Sequence, residues 1–252
     1  MFGARRSLVN PPVPRLVRQP SGVDPSPVSN DLPILLDKFE GAFLTRSAIQ
    51  SMDVEPVEGL GELHSEEVDF LDGRSPRRQR ELVAGRRALR SALKAAGWTG
   101  FSSLLPDSQG RPRVPDGFTG SITHKDGLAL AVAAPLVGGR TLGVDSEVVG
   151  TRDRSAIARK ILRPEELDHW TAGGARWPDL LVIFSMKEAI YKALHPHVPR
   201  YIAFEEAEVR PDGTIRMHLA GGEGPFEVRG TSTWEGDRLL SVVQARPDQS
   251  RG

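Results

Sequence analysis

The chain contains no cysteine, which excludes disulfides, thiolate metal sites and a cysteine nucleophile. It carries no net charge: 33 Lys and Arg balance 33 Asp and Glu, which argues against a wholly basic nucleic-acid binder. Long apolar runs are missing too, none approaching the roughly 18 residues of a membrane span. The basic start, MFGARRSLVNPPVPRLVRQP, lacks the apolar core and small-residue cleavage site of a secretory signal. These absences make a soluble, cytoplasmic protein the expectation. With 252 residues, the chain can bury a core without staples, as one large domain or two small ones.

Residues 1–33 are rich in Pro, Ser and Arg and poor in large apolar side chains. Such a composition cannot offset its ordering entropy, so a flexible tail is expected there, with a shorter one at 247–252. From Leu35 to Leu63 the pattern is mixed and assigns no element. Ser65–Asp72 reads as a short helix. Ser75-Pro76 fits the N-cap and first position of a longer one, running to Ala96 and ending at Gly97. Gly120–Pro135 reads as two strands turning at Asp126-Gly127, and a further strand spans Thr141–Val148. Helices are expected over Pro164–Thr171 and Pro178–Leu194. Four short strands then follow over Glu206–Arg210, Thr214–Leu219, Phe226–Trp234 and Leu239–Ala245. The outline is an α+β fold.

Four segments carry chemistry. In the strand Leu142-Gly143-Val144-Asp145-Ser146-Glu147, the i,i+2 spacing turns Asp145 and Glu147 to one side. Two adjacent carboxylates repel unless a cation lies between them. Hard oxygen donors suit Mg²⁺, although a solvated strand edge carries the same pattern. In the helix, Glu188 and Lys192 are i,i+4 neighbours, which ordinarily means a surface ion pair. Here the preceding Leu180–Phe184 is apolar nearly all round, so the helix is expected to be buried and its charges to need partners. A third carboxylate for the same ion, with flanking lysines for a phosphate, would provide them.

Gly120-Ser121-Ile122-Thr123-His124 offers hydroxyls and an imidazole that read either as structural groups or as phosphate donors. Between Arg74 and Lys94 lie eight basic residues against one acid, Glu81. That local excess calls for an anionic partner. A compact polyphosphate suits it better than nucleic acid, since no aromatic interleaving accompanies the arginines. Two other readings of these segments stay open, a Mg²⁺-dependent nucleotide phosphodiester hydrolase and a nucleic-acid-binding module on the Arg74–Lys94 helix.

These residues resemble the 4′-phosphopantetheinyl transferases of the surfactin-synthetase-activating and enterobactin-synthetase type. The resemblance runs from Arg78 to Pro196 and rests on five motifs. They are Gly85-Arg86-x-x-x-Arg90-x-Ala92-Leu93, Gly110-Arg111-Pro112 with Pro115, Gly120-Ser121-x-Thr123-His124, Gly143-Val144-Asp145-x-Glu147 and Phe184-Ser185-x-Lys187-Glu188-Ala189-x-Tyr191-Lys192. It implies a pseudo-dimeric α+β fold of two similar halves, 34–138 and 139–246, with coenzyme A in the cleft between them.

The resemblance also implies roles. Asp145, Glu147 and Glu188 would hold Mg²⁺, or Mn²⁺ in its place. Glu188 would take the proton of the carrier serine, and Lys192 and Lys187 would neutralise the pyrophosphate. Arg78, Arg86, Arg90, Arg111, Ser121 and His124 would contact coenzyme A. The implied partner is an apo acyl or peptidyl carrier protein met by a monomeric enzyme, without nucleic acid or membrane. Two positions depart from the pattern: Ser146 stands where an apolar residue is usual, and Lys125 where many relatives are uncharged.

Overall fold

The computed structural model describes residues 39, 41–49, 57–150, 153–172, 174 and 176–248; the expected tail at 1–33 lies outside them. Five helices are described: α1 (Ser65–Leu71), α2 (Pro76–Ala95), α3 (Ala158–Ile161), α4 (Pro164–Ala172) and α5 (Trp177–Leu194). The strands are β1 (Phe43–Ala48), β2 (Phe118–Lys125), β3 (Leu128–Pro135), β4 (Thr141–Val148), β5 (Ala207–Val209), β6 (Ile215–Met217), β7 (Phe226–Glu235) and β8 (Arg238–Pro247). Among the described residues no helix is long and apolar enough to cross a membrane. The expected α+β class is what the chain adopts.

Helix starts and stops follow local chemistry. At α2, Ser75 Oγ accepts the Arg78 N–H at 3.4 Å and Pro76 stands first. Past its end Gly97 takes φ 98°, open to glycine at no steric cost. The β2–β3 hairpin closes through Asp126 and Gly127, both at positive φ, as a two-residue turn matched to strand twist requires.

Three strands form an antiparallel sheet in the order β1-β3-β2, and three more in the order β4-β8-β7; β5 and β6 pair separately. Each larger sheet is crossed by one long helix, α2 on the first and α5 on the second. β3 is buried on both faces. Ala131 and Ala133 join Leu89 and Leu93 of α2. The alternate Leu130, Val132 and Ala134 meet Leu142, Val144, Leu240 and Val242 of the other sheet. One apolar layer therefore holds the two sheets together. β8 runs on to Pro247, paired with Phe226.

Where β2 passes β4, three hydroxyls on one face of β2 replace a backbone ladder. Thr119 Oγ1 accepts the Leu142 N–H at 3.1 Å and Ser121 Oγ accepts the Val144 N–H at 3.2 Å. Thr123 Oγ1 donates to Asp145 Oδ1 at 3.3 Å. All three side chains are buried, so each bond is shielded from water and each buried backbone N–H is satisfied. Arg238 adds a clasp from β8. It donates to the carbonyls of Lys125 and Asp126 at 3.1 and 3.2 Å and to Ser146 Oγ at 3.2 Å.

Several boundaries differ from expectation. β1 was not assigned by pattern. β5 is shorter than Glu206–Arg210 because Glu206 closes a 3₁₀ turn, its carboxylate accepting the Ala203 and Ala220 N–H groups and pairing with Arg200.

Candidate active site

A cavity of about 590 Å³ opens between the two sheets. Its walls come from the 107–114 loop, from β2 at Phe118–Ile122, and from Thr141, Tyr191, Lys192 and His195 of the second half. Pro112, Val114, Ile122 and Leu136 make it largely apolar, a composition that accepts a ring and leaves a few polar groups to fix it. Arg111, at its rim, is braced by Asp107 through a 2.6 Å ion pair.

Lys192 joins this cavity to the acidic residues. Its ammonium donates to Asp145 Oδ1 at 2.8 Å and to the Val144 carbonyl at 3.0 Å. The ordinary i,i+4 pair with Glu188 is not formed; α5 lies so close on β4 that Lys192 reaches the strand instead. Asp145 Oδ1 is thus occupied, whereas its buried Oδ2 has no hydrogen-bond partner among the described residues. Glu147 pairs with Lys125 at 2.7 Å. Burial, helped by the Asp145 charge, pushes the Glu147 carboxyl above its ordinary value against the pull of Lys125. Burial pushes Glu188 up as well; Lys192 opposes this, and Asp145 and Glu147 add to it.

Asp145, Glu147 and Glu188 therefore feel one another, as the spacing suggested. Among the described residues no three acidic or histidine side chains are drawn together as a ready-made metal-holding group. Lysines occupy two of the carboxylates in its stead. A partnerless buried carboxylate oxygen beside two carboxyls of raised pKa fits a divalent cation, and an all-oxygen set selects the hard ions.

The basic residues divide. Arg78 and His124 meet at 3.3 Å, both against Glu81. Arg86 is buried beside them; burial draws its guanidinium down to about 10, with Arg78 and Arg90 adding to the shift and Glu67 opposing it. A buried cation under that strain favours an arriving anion. Arg90, expected at the ligand, is instead committed elsewhere. It pairs with Glu67 at 2.8 Å, donates to the Ser102 carbonyl and lies over the Phe101 ring. Glu67 also accepts the Leu104 and His64 N–H groups. The pair thus ties α1, α2 and the 102–104 segment together, while the buried Arg90 Nε has no hydrogen-bond partner among the described residues.

Lys187 is also engaged away from the cavity. Its three ammonium protons go to Glu166 Oε2 at 2.6 Å, the Ile161 carbonyl at 2.7 Å and the Phe204 carbonyl at 3.0 Å. Both side chains of the ion pair are 1 % exposed, so none of its donors is left for a pyrophosphate. Removing one partner of a buried pair costs about 3–5 kcal/mol. Lys187→Met should lower stability by that order in urea unfolding, and adding Glu166→Gln should recover part of the loss. An unchanged midpoint in the single variant would contradict the pairing. Ser121 lines the cavity while its Oγ accepts from β4, which leaves its O–H to donate.

The remaining arginines of the Arg74–Lys94 stretch do not form a bare basic face. Arg74 donates to the Phe70 carbonyl, Arg77 pairs with Glu81 and Arg87 with Glu62, and Arg80 is buried. Three contributors were not anticipated. Tyr191 and His195 form an edge-on ring pair at the cavity wall; Tyr191 belongs to the Phe184–Lys192 motif, but its ring partner is signalled only by i,i+4 spacing. Arg238 carries no local signal, because its partners are more than ninety positions away.

Comparison with known proteins places the chain in a family. The family model described as the 4'-phosphopantetheinyl transferase N-terminal domain matches residues 66–134. That of the 4'-phosphopantetheinyl transferase superfamily matches 141–243. The chain is 34% identical over 171 residues to the 4'-phosphopantetheinyl transferase Svp of Streptomyces mobaraensis, covering 65% of this chain and 68% of that protein. It is 30% identical to PptT of Mycobacterium tuberculosis, covering 65% of this chain and 70% of the relative. It is 31% identical to enterobactin synthase component D of Salmonella typhi, with 70% and 76% covered.

Proposed function

Because the chain belongs to the 4′-phosphopantetheinyl transferase superfamily, we propose that it moves the phosphopantetheine arm of coenzyme A onto a serine of an apo carrier protein. The observation that carries the site assignment is Lys192, one side chain that both lines the cavity and bonds Asp145. Coenzyme A is a nucleotide joined through a pyrophosphate to a long arm. An apolar cavity leading to a lysine and three carboxylates matches that order of groups.

In the proposed reaction the serine oxygen attacks the β-phosphorus, the bond to the leaving phosphate breaks, and 3′,5′-ADP departs. Asp145, Glu147 and Glu188 would hold Mg²⁺, which when bound supplies charge neutralisation at the pyrophosphate. Glu188 receives the serine proton, directly or through water; a carboxyl with raised affinity for a proton suits that task. Lys192 keeps its ammonium at the cavity mouth, where charge develops on the leaving group. Arg78, Arg86, Arg111 and His124 bind the nucleotide end. The halves 34–138 and 139–246 act within a single chain, so a monomer suffices.

Metal addition to the ligand-free protein tests the carboxylate assignment without turnover. A folded-state pKa raised above the ordinary 4.5 means that Glu147 and Glu188 add stability below that range. They lose it as pH rises through the folded values. Mg²⁺ relieves the repulsion of the ionised forms, so the rise in melting temperature on adding Mg²⁺ should grow from acid to neutral pH. It should shrink in Glu188→Gln. A rise independent of pH and of Glu188 would contradict the assignment.

Release of 3′,5′-ADP, followed with and without apo carrier, tests the activity itself. Transfer requires release only when carrier is present; equal release without carrier would indicate a phosphodiester hydrolase and overturn the proposal.

A further inference from the structure

Glu81 is the single acid among eight basic residues of the Arg74–Lys94 stretch, and its place is not that of a surface ion-pair partner. Its side chain is 13 % exposed, against 81 % for the neighbouring Arg77. The carboxylate therefore faces in from α2 towards β2. Oε1 takes the Arg77 Nε–H at 3.0 Å. Oε2 takes two donors at once, Arg78 Nη1 at 3.2 Å and, from a strand 43 residues away in sequence, His124 Nε2 at 3.1 Å.

A single oxygen thus gathers an arginine and a histidine at one point. Their nitrogens stand 3.3 Å apart, and burial, with the Arg78 charge, lowers the His124 pKa against the pull of Glu81, so the guanidinium lies beside a neutral imidazole. Both remain open to a ligand, Arg78 at 47 % and His124 at 36 % side-chain exposure. The charge of Lys192 is felt at His124, so the cluster lies near the lysine that bonds Asp145.

We propose that Glu81 is a positioning residue that converges Arg78 and His124 on one phosphate of coenzyme A; this rests on the transferase reading above. A carboxylate that holds the imidazole by Nε2–H fixes its ring and stabilises the protonated form that an arriving phosphate induces, in which Nδ1–H donates to that phosphate. Arg78 keeps Nε and Nη2 for the same group, and a fork held in place loses less freedom on binding. Without Glu81, both side chains would have to be ordered by the ligand itself. The cost should then appear in binding and not in the chemical step.

Steady-state kinetics on Glu81→Ala and Glu81→Gln separate this role from a structural one. The expected result for Glu81→Ala is a KM for coenzyme A raised about tenfold, as for loss of a charge-assisted hydrogen bond, with kcat within about twofold. Glu81→Gln, which keeps an acceptor oxygen, should fall between. In a His124→Ala background the Glu81 effect should shrink to the part that acts through Arg78, since coupled residues are non-additive. Titration calorimetry with coenzyme A supplies the same comparison should Glu81→Ala fold poorly, using Glu81→Gln. An unchanged or lowered KM, a parallel fall in kcat, or full additivity with His124→Ala would overturn the proposal. Failure of the wild-type protein to modify any carrier would overturn the transferase reading instead.

Discussion

Asp145→Ala should reduce carrier modification on the order of 10³-fold, the scale on which loss of a preorganised electrostatic group is felt, while the protein keeps its fold. The asymmetry of this carboxylate is the reason. Oδ1 is anchored by Lys192 and Thr123, and Oδ2 is buried without a partner among the described residues. An anchored group with one unused oxygen is poised to serve a ligand or ion, not to stabilise the strand. Removing it leaves Lys192 its bond to the Val144 carbonyl and relieves the repulsion that Asp145 exerts on Glu147 and Glu188. The melting temperature of the metal-free variant should therefore stay near that of the wild type. Activity within about tenfold of wild type would contradict the role.

Gly143→Ala, two residues earlier, should instead prevent proper folding. A Cβ on Gly143 would lie 2.0 Å from the Ala189 carbonyl oxygen and 2.6 Å from the Ala193 nitrogen. Both are backbone atoms of α5 and cannot rotate away. The φ of Gly143 is not among the positive values, so the requirement is for closeness and not for backbone freedom. The same contact allows Thr141 Oγ1 to donate to the Ala193 carbonyl at 2.6 Å and Lys192 to reach Val144. Separating helix from strand should cost about 3 kcal/mol or more, the upper range for overpacking, visible as a lowered urea midpoint. It should also lower activity, because α5 carries Glu188 and Lys192. A stable, active Gly143→Ala protein would show that α5 does not sit on β4 as described.

These two residues share a motif yet differ in how far sequence could read them. Asp145 and Glu147 declare themselves through the strand period and the chemistry of paired carboxylates. Gly143 declares only smallness, and what it makes room for appears once α5 is laid on the strand. Helices were legible where capping is local, as at Ser75-Pro76, and the β2–β3 turn where Asp126-Gly127 demands positive φ. β1 was not, because Phe43–Ala48 is only partly buried and its register is supplied by β3. The partners of Lys187 and Arg90 were hidden for a related reason: a motif records which residues occur together, not which buried acid each finds. Those acids, Glu166 and Glu67, are both distant in sequence. Ser121 Oγ accepts a buried N–H of the facing strand, a partner no local pattern announces, and its own O–H stays available to donate.

The most direct test of transfer by this cleft is the intact mass of an apo carrier protein after incubation with the wild-type enzyme, coenzyme A and Mg²⁺, across fatty-acid, polyketide and peptide carriers. Wild-type protein should add the mass of one phosphopantetheine to at least one carrier, at its serine, and Asp145→Ala should add none. No mass gain on any carrier with folded enzyme, or an equal gain with Asp145→Ala, would contradict it.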